Sequence, residues 1–353
     1  MVEWKKLGEV EDNDNLTLGR GQVISKNDMN DCPGDYPVYS SSSQNNGEIG
    51  RYGKYMFDDE RITWSIDGGG KLFYRNGIKY SVTNVCGWLK VNDENKLNTK
   101  FLYYLLFEEW TNINFDYNHK AHPSVIRNEY IIPVIPLSEQ TRIVGILDTF
   151  TSAIDNLKEQ IAQRRKQYEY YRDQLLDLEG KPGLEMKTLG EVCKLERGVR
   201  VVKKDLQEQG VIPVFQNSLT PLGFYEKSNY PGYTTFVICA GAAGEVGYSE
   251  IAFWAADDCT CIICPSSICS KFVYNFLMVK QHLLKAQVRK ASVPRLSKDV
   301  IGKLQLPIPS LHEQQRIISI LDTFEASIQN LEAQLSQREK QYEYYRNKLL
   351  TFE

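Results

Sequence analysis

One stretch of this chain occurs twice. Residues 139–179, opening EQTRIVGILDTF and closing KQYEYYRDQLLDLE, return at 313–353 as EQQRIISILDTF…KQYEYYRNKLLTFE, identical at 25 of 41 positions without a gap. Chance does not produce such a match, so the segment is a duplicated structural element. Fainter echoes carry the duplication across each half. Trp4-Lys5-Lys6-Leu7-Gly8-Glu9-Val10 reappears as MKTLGEV at 186–192, and Tyr36-Pro37-Val38-Tyr39 as Ile212-Pro213-Val214-Phe215. The period, 174 to 182 residues, is that of a whole domain and not of a solenoid repeat. Two copies of a domain plus a helix make a pseudo-twofold object from a single chain.

The 353 residues allow two or three domains, each able to bury a core. The beginning, MVEWKKLGEVEDND, lacks a signal-type apolar core, and no stretch approaches about 18 apolar residues in a row. A cytoplasmic protein without membrane association is expected, with its eight cysteines as reduced thiols. The net charge of −3 hides an asymmetry: residues 1–138 carry −4 and residues 185–307 carry +4. A chain with this balance could hold DNA only through local basic loops and would struggle to do so alone at physiological salt, since affinity scales with the phosphates neutralised, which points to a partner that brings positive charge.

Apolar residues in the first copy fall at Ile143, Leu147, Phe150, Ile154, Leu157 and Ile161, then at Tyr168, Tyr171, Leu175 and Leu178. Arg164 interrupts this 4-3 alternation once. The second copy reads Ile317, Leu321, Phe324, Ile328, Leu331, Leu335, Arg338, Tyr342, Tyr345, Leu349 and Phe352. A period of about 3.5 residues describes a left-handed coiled-coil seam. Each helix would be roughly 54 Å long at about 1.5 Å per residue. Pro133 and Pro136 precede the first helix and Pro307 and Pro309 the second; Ser138 is a candidate cap, and Gly180 with Pro182 ends the first helix. The stripe could pack on a globular body, but its repetition favours two helices packed antiparallel on each other. Arg164 and Arg338 would then be paired within the seam or would snorkel to its edge.

The remaining segments are α+β. YTTFVICAG (233–241), IAFWA (251–255) and CTCIIC (259–264) read as strands, with one sheet expected per domain; TKFLYYLLFEEW (99–110) and SKFVYNFLMVKQHLL (270–284) read as corresponding helices. The domains are expected at 1–138 and 181–307, and the helical segments at 139–180 and 308–353. Glycine-rich turns occur at matching places, IDGGGKLFYR (66–75) and AGAAGEVGY (240–248), and fit neither a phosphate loop nor a dinucleotide fingerprint. The loops SSSSQNNG (40–47) and QNSLTPLG (216–223) are rich in amides and hydroxyls. Their Gln44, Asn45, Gln216 and Asn217 are candidates for reading adenine, which Asn and Gln grip bidentately in the major groove, or else belong to plain solvated turns. Lys120 and His122, and Arg289, Lys290 and Arg295, lie in polar clusters before each proline-rich connection and are candidate DNA contacts, the basic ones suiting phosphate. A solvated surface is the plainer reading of these clusters.

Catalytic equipment is sparse. There is no Asn/Asp-Pro-Pro-aromatic methyltransferase motif and no Walker A sequence. Glu94 and Lys96 form a Glu-x-Lys triplet of nuclease type that has no twin in the second half. Cys259, Cys261, Cys264 and Cys269 are spaced unlike a zinc knuckle pair and read as buried strand thiols. No metal or cofactor is expected.

The arrangement resembles the specificity subunit of type I restriction–modification systems. The resemblance rests on two dissimilar domains, each followed by a near-identical helix, with SEQTRIVGILD at 138–148 and HEQQRIISILD at 312–322. It covers essentially the whole chain. It implies two target-recognition domains that each read one half of a split, asymmetric site on double-stranded DNA, with antiparallel helices as a spacer. It also implies two methylation subunits docked on the helices, up to two restriction subunits, and no catalysis by this chain. The competing readings are a coiled-coil adaptor without DNA recognition and a nuclease using Glu94 and Lys96.

Overall fold

The computed structural model describes every residue except Met1, Ser43, Tyr117, Pro182, Gly183 and Glu353, and only the backbone of Lys203. Pro182 of the expected helix stop and one serine of the 40–47 loop therefore lie outside the described residues; Gly180 is left-handed, with φ of 73°, but the helix ends four residues before it, at Leu176. The chain divides into two compact units, residues 1–156 with 335–353, and residues 157–334. Among the described residues no helix is long and apolar enough to cross a membrane.

In the first unit, a four-stranded antiparallel sheet runs in the order Leu16–Arg20, Cys86–Val91, Arg61–Ser65, Leu72–Arg75. Helix Thr99–Trp110 buries Phe101, Leu102, Leu105 and Leu106 in the same core as Ile62, Trp64 and Leu89 from this sheet. A three-stranded sheet places Tyr36–Tyr39 between Glu48–Tyr52 and Ser81–Val82. A two-stranded ribbon pairs Glu3–Lys6 with Ile131–Val134.

The second unit repeats every one of these pairings. Its four-stranded sheet runs Lys194–Arg197, Cys259–Ile263, Thr234–Ile238, Val246–Ser249. The three-stranded sheet centres on Ile212–Phe215, the ribbon pairs Glu185–Thr188 with Gln305–Ile308, and the helix is Ser270–Ala286. The faint echoes between the halves are thus equivalent strands. Among the described residues each unit holds three sheets where one was expected. The division is set by pairings between segments far apart in sequence, such as Val38 with Ser81 and Val214 with Trp254, which local patterning does not reveal.

The duplicated segments are continuous helices, Leu137–Leu176 and Leu311–Leu350. Within the first unit, Ile143 and Leu147 share a core with Leu349 and Leu350, and Phe150 stacks on Tyr345 at 5.2 Å. Within the second, Tyr171 stacks on Phe324 at 5.4 Å, Tyr168 donates to Glu325 at 2.9 Å, and Arg165 pairs with Glu332 at 2.5 Å. Numbers rise on one helix as they fall on the other, so the two run antiparallel in each unit. The seam arginines are not buried charges. Arg338 lies 5.8 Å over Phe150 and Arg164 5.9 Å over Phe324, each at the edge of the same aromatic stack.

Ser138 does not cap the first helix. The helix begins one residue earlier, and the Pro136 carbonyl receives the Glu139 and Gln140 amides at 2.9 and 3.1 Å. The second helix does have a serine cap, since Ser310 Oγ accepts from the Glu313 amide at 3.3 Å.

The EQxRI…ILD motif fastens each helix to its domain. Glu139 and Arg142, like Glu313 and Arg316, form a bidentate pair on the surface. The glutamine between them is buried in both copies, 1% exposed at Gln140 and 0% at Gln314, and this decides its role. Gln140 accepts from the Asn98 amide and donates to the Lys96 and Ile135 carbonyls; Gln314 accepts from the Cys269 amide and donates to the Ser267 and Pro309 carbonyls. The closing aspartates hold lysines of the domain helices, Lys100 to Asp148 at 2.8 Å and Lys271 to Asp322 at 2.7 Å. Burial works against the Lys271 charge, but the Asp322 and Glu325 carboxylates outweigh it and raise its pKa.

Candidate nucleic-acid interface

In the first unit three loops meet. The loop after Tyr36–Tyr39 closes through the Ser40 amide, which donates to the Gly47 carbonyl at 2.9 Å. Ser41 Oγ accepts from the Asp67 amide of the glycine-rich hairpin turn at 2.7 Å, and Lys120 reaches Asp67 at 2.9 Å. Gln44 and Asn45 are exposed on this loop, and Lys120 is exposed beside it. The structure thus brings Lys120 to the hairpin that holds the Gln44 loop. His122 does something else: it caps helix Pro123–Glu129, its Nδ1 accepting from the Ser124 amide at 3.4 Å and lying 2.9 Å from Ser124 Oγ. That ring nitrogen is already engaged within the protein.

The turn at the loop tip has unusual backbone. Asn45, Asn46 and Gly47 are all left-handed, with φ of 46°, 54° and 82°, a conformation that asparagine and glycine tolerate best. Beneath them lies Arg75, 2% exposed. Its guanidinium donates to the Asn46 carbonyl at 2.6 Å and to Thr63 Oγ1 at 3.1 Å, and stacks 3.5 Å from the Tyr39 ring. Burial pulls its pKa down, and Tyr39 pushes in the other direction.

The second unit assembles the equivalent loops. Gln216 donates to Asp258 at 3.4 Å, and the Asn217 carbonyl accepts from the Ala242 amide of the hairpin turn at 2.9 Å. Gly241 in that turn donates to the Pro294 carbonyl at 3.2 Å. Its φ is 80° and an added Cβ would lie 2.7 Å from the Asn217 carbonyl, so the close approach needs glycine. Arg289 and Arg295 exchange backbone bonds of 2.8 and 3.2 Å, which puts the exposed Lys290 on the short hairpin between them. A cleft of about 180 Å3 at this place is lined by Arg197, Asp257, Asp258, Arg295 and Lys298, among others. Four of the five candidates are joined directly or through the Gly241 turn, and Lys290 sits on the arm they support.

One repeated bond aligns the two sites. The Ala121 amide donates to the Ile66 carbonyl at 3.2 Å, and the Leu296 amide to the Cys239 carbonyl at 2.8 Å. Ile66 and Cys239 each directly follow the equivalent strand, Arg61–Ser65 or Thr234–Ile238. Lys120 and Arg295 each precede the anchored residue, so both repeats set a cation at the same place beside amide-bearing loops. Such an edge can bind phosphate through the cation and offer amides to base edges.

Sequence reasoning missed Arg75, Arg197, Asp258 and Lys298. Arg197 opens a basic Arg-Gly-Val-Arg run that could have drawn attention; a lone arginine ending a strand, as Arg75 does, gives no such signal. Of the four cysteines expected as buried strand thiols, Cys259 and Cys261 are buried in their strand and burial raises both thiols, whereas Cys264 and Cys269 are half-buried outside it, just after the strand and at the cap of the following helix. Glu94 is exposed, and Lys96 is tied to Asp93 at 2.9 Å and to Asn15 at 3.2 Å.

The family model described as type I restriction modification DNA specificity domain matches the chain twice, over residues 1–164 and 182–339. A putative type I specificity subunit of Mycoplasma pneumoniae is 30% identical over 94% of this chain and 94% of its own length. A putative type I restriction enzyme specificity subunit of Haemophilus influenzae is 28% identical over 99% and 96%. Among solved structures, the S subunit of a type I restriction–modification system from M. genitalium shares the fold over 100% of this chain and 97% of that one, with a TM-score of 0.74 and 19% identity. A chain from a study of complex assembly in the type I R-M system gives a TM-score of 0.57 at 16% identity, over 99% and 96%.

Proposed function

The chain belongs to the type I restriction–modification DNA specificity family, and on that premise we propose that it chooses the DNA sequence for a methylating and restricting complex. Residues 1–138 and 181–307 are the two target-recognition domains, and the helical segments 139–180 and 308–353 set their spacing. The observation that carries this reading is the same constellation built twice: a polar loop, a glycine-rich hairpin and a cation, Lys120 or Arg295, anchored by an equivalent backbone bond. The side chains around it differ, Asp67 and the left-handed asparagine turn in one, Gln216 and Asp258 in the other. Two different half-sites and an asymmetric double-stranded target follow.

The chain has no catalytic role in this reading and works in the cytoplasm. Two methylation subunits dock on the helices and up to two restriction subunits complete the assembly. Its formal charge of −3 supports the need for partners that add positive charge. The test is selection from a randomised duplex library by the chain co-purified with its methylation subunit. Enrichment of a two-part sequence is expected. A pool that stays random would instead support the coiled-coil adaptor.

A further inference from the structure

We infer that Arg75, which is buried and cannot touch DNA, is a positioning residue for sequence choice in the first recognition domain. The inference rests on the reading of the 40–47 loop as part of the DNA-reading edge. Three consecutive left-handed residues form its tip, and the middle carbonyl, that of Asn46, is held at 2.6 Å by the Arg75 guanidinium. The same guanidinium is fixed from below by Thr63 and from the side by the Tyr39 ring. A planar fork can hold Thr63 and Asn46 together; a lysine ammonium on a flexible stem lacks that geometry. The turn's shape and the arginine's burial are therefore one arrangement. Gln44 and Asn45 take their direction from it while their side chains remain exposed.

Among the described residues, the second unit has no equivalent arginine. By strand register Arg61 pairs with Arg75 and Thr234 with Ser249, so Ser249 stands in the arginine's place, and its hydroxyl turns to the Ile251 carbonyl. A change at Arg75 should consequently alter one half of the recognised sequence and spare the other. General damage to the fold would lower activity without relaxing one half alone.

The experiment maps methylated adenines left by the complex carrying wild-type chain, Arg75→Lys or Thr63→Val. Thr63→Val keeps the side-chain volume and every loop residue but removes the hydroxyl that fixes the guanidinium, so it keeps the inference testable should Arg75→Lys not fold. Both variants are expected to lower discrimination at a base position of one and the same half-site by about tenfold, the scale of one bidentate contact. The other half-site should be read as in wild type. A motif unchanged in both variants, or activity that falls with the motif intact, overturns the inference while leaving the proposed function standing. A wild-type complex with no two-part motif overturns both.

Discussion

At the level of single residues, the glutamine of the duplicated motif has the clearest assignment. Gln140 meets one amide and two carbonyls in a site 1% exposed. Gln140→Leu keeps the bulk but strands those groups, at a cost of about 1–3 kcal/mol. Thermal denaturation should register it as a lower melting temperature, and an unchanged melt would contradict the anchoring role. The recognition candidates separate by chemistry. Gln216→Ala with Asn217→Ala should relax base choice in one half-site more than it weakens binding at low salt, measured by library selection. Arg289→Ala with Lys290→Ala should weaken binding to all sequences and flatten the salt dependence by about one unit of slope for each phosphate left without its cation. The candidates were legible from residue type and loop position, but their partners were not. Lys120 and Asp67 are separated by 53 positions, and His122 has the residue type of a DNA contact although its ring caps a helix. Arg75 was illegible because its importance comes from the turn stacked above it.

Among the elements, the helices were the most legible, because a 3.5-residue period kept over five heptads and repeated in both copies marks a seam between helices. The arginines within that pattern found a physical place on the Phe150 and Phe324 rings. Phe324→Ala would remove the stack with Tyr171 and the surface under Arg164, at about 1–3 kcal/mol. Amide hydrogen exchange should quicken around residues 164–171 and 324. Protection unchanged there would mean that the seam does not depend on this stack. Strands were harder to read. CTCIIC became Cys259–Ile263 almost intact, whereas IAFWA shrank to Trp254–Ala255, because a two-residue bridge leaves no alternation to detect. The division into three sheets was invisible for the same reason: it is set by pairings between segments far apart in sequence, such as Val38 with Ser81.

For the molecule as a whole, the duplication visible in 41 residues extends to every sheet and to the domain helix, although the intervening sequence has diverged. Backbone bonds were retained where side chains were not: Leu7 to Tyr130 and Leu189 to Leu304, Gly21 to Cys86 and Gly198 to Cys259, Thr83 to Tyr39 and Ala256 to Phe215. A scaffold kept constant beneath unlike loops is what two readers of different sequences require. The most direct measurement is the map of methylated adenines in DNA exposed to the chain assembled with its methylation subunit. A motif of two unlike specified segments separated by an unspecified gap of constant length is expected. A single uninterrupted motif, two identical halves, or a pattern that stays the same when this chain is replaced would contradict it.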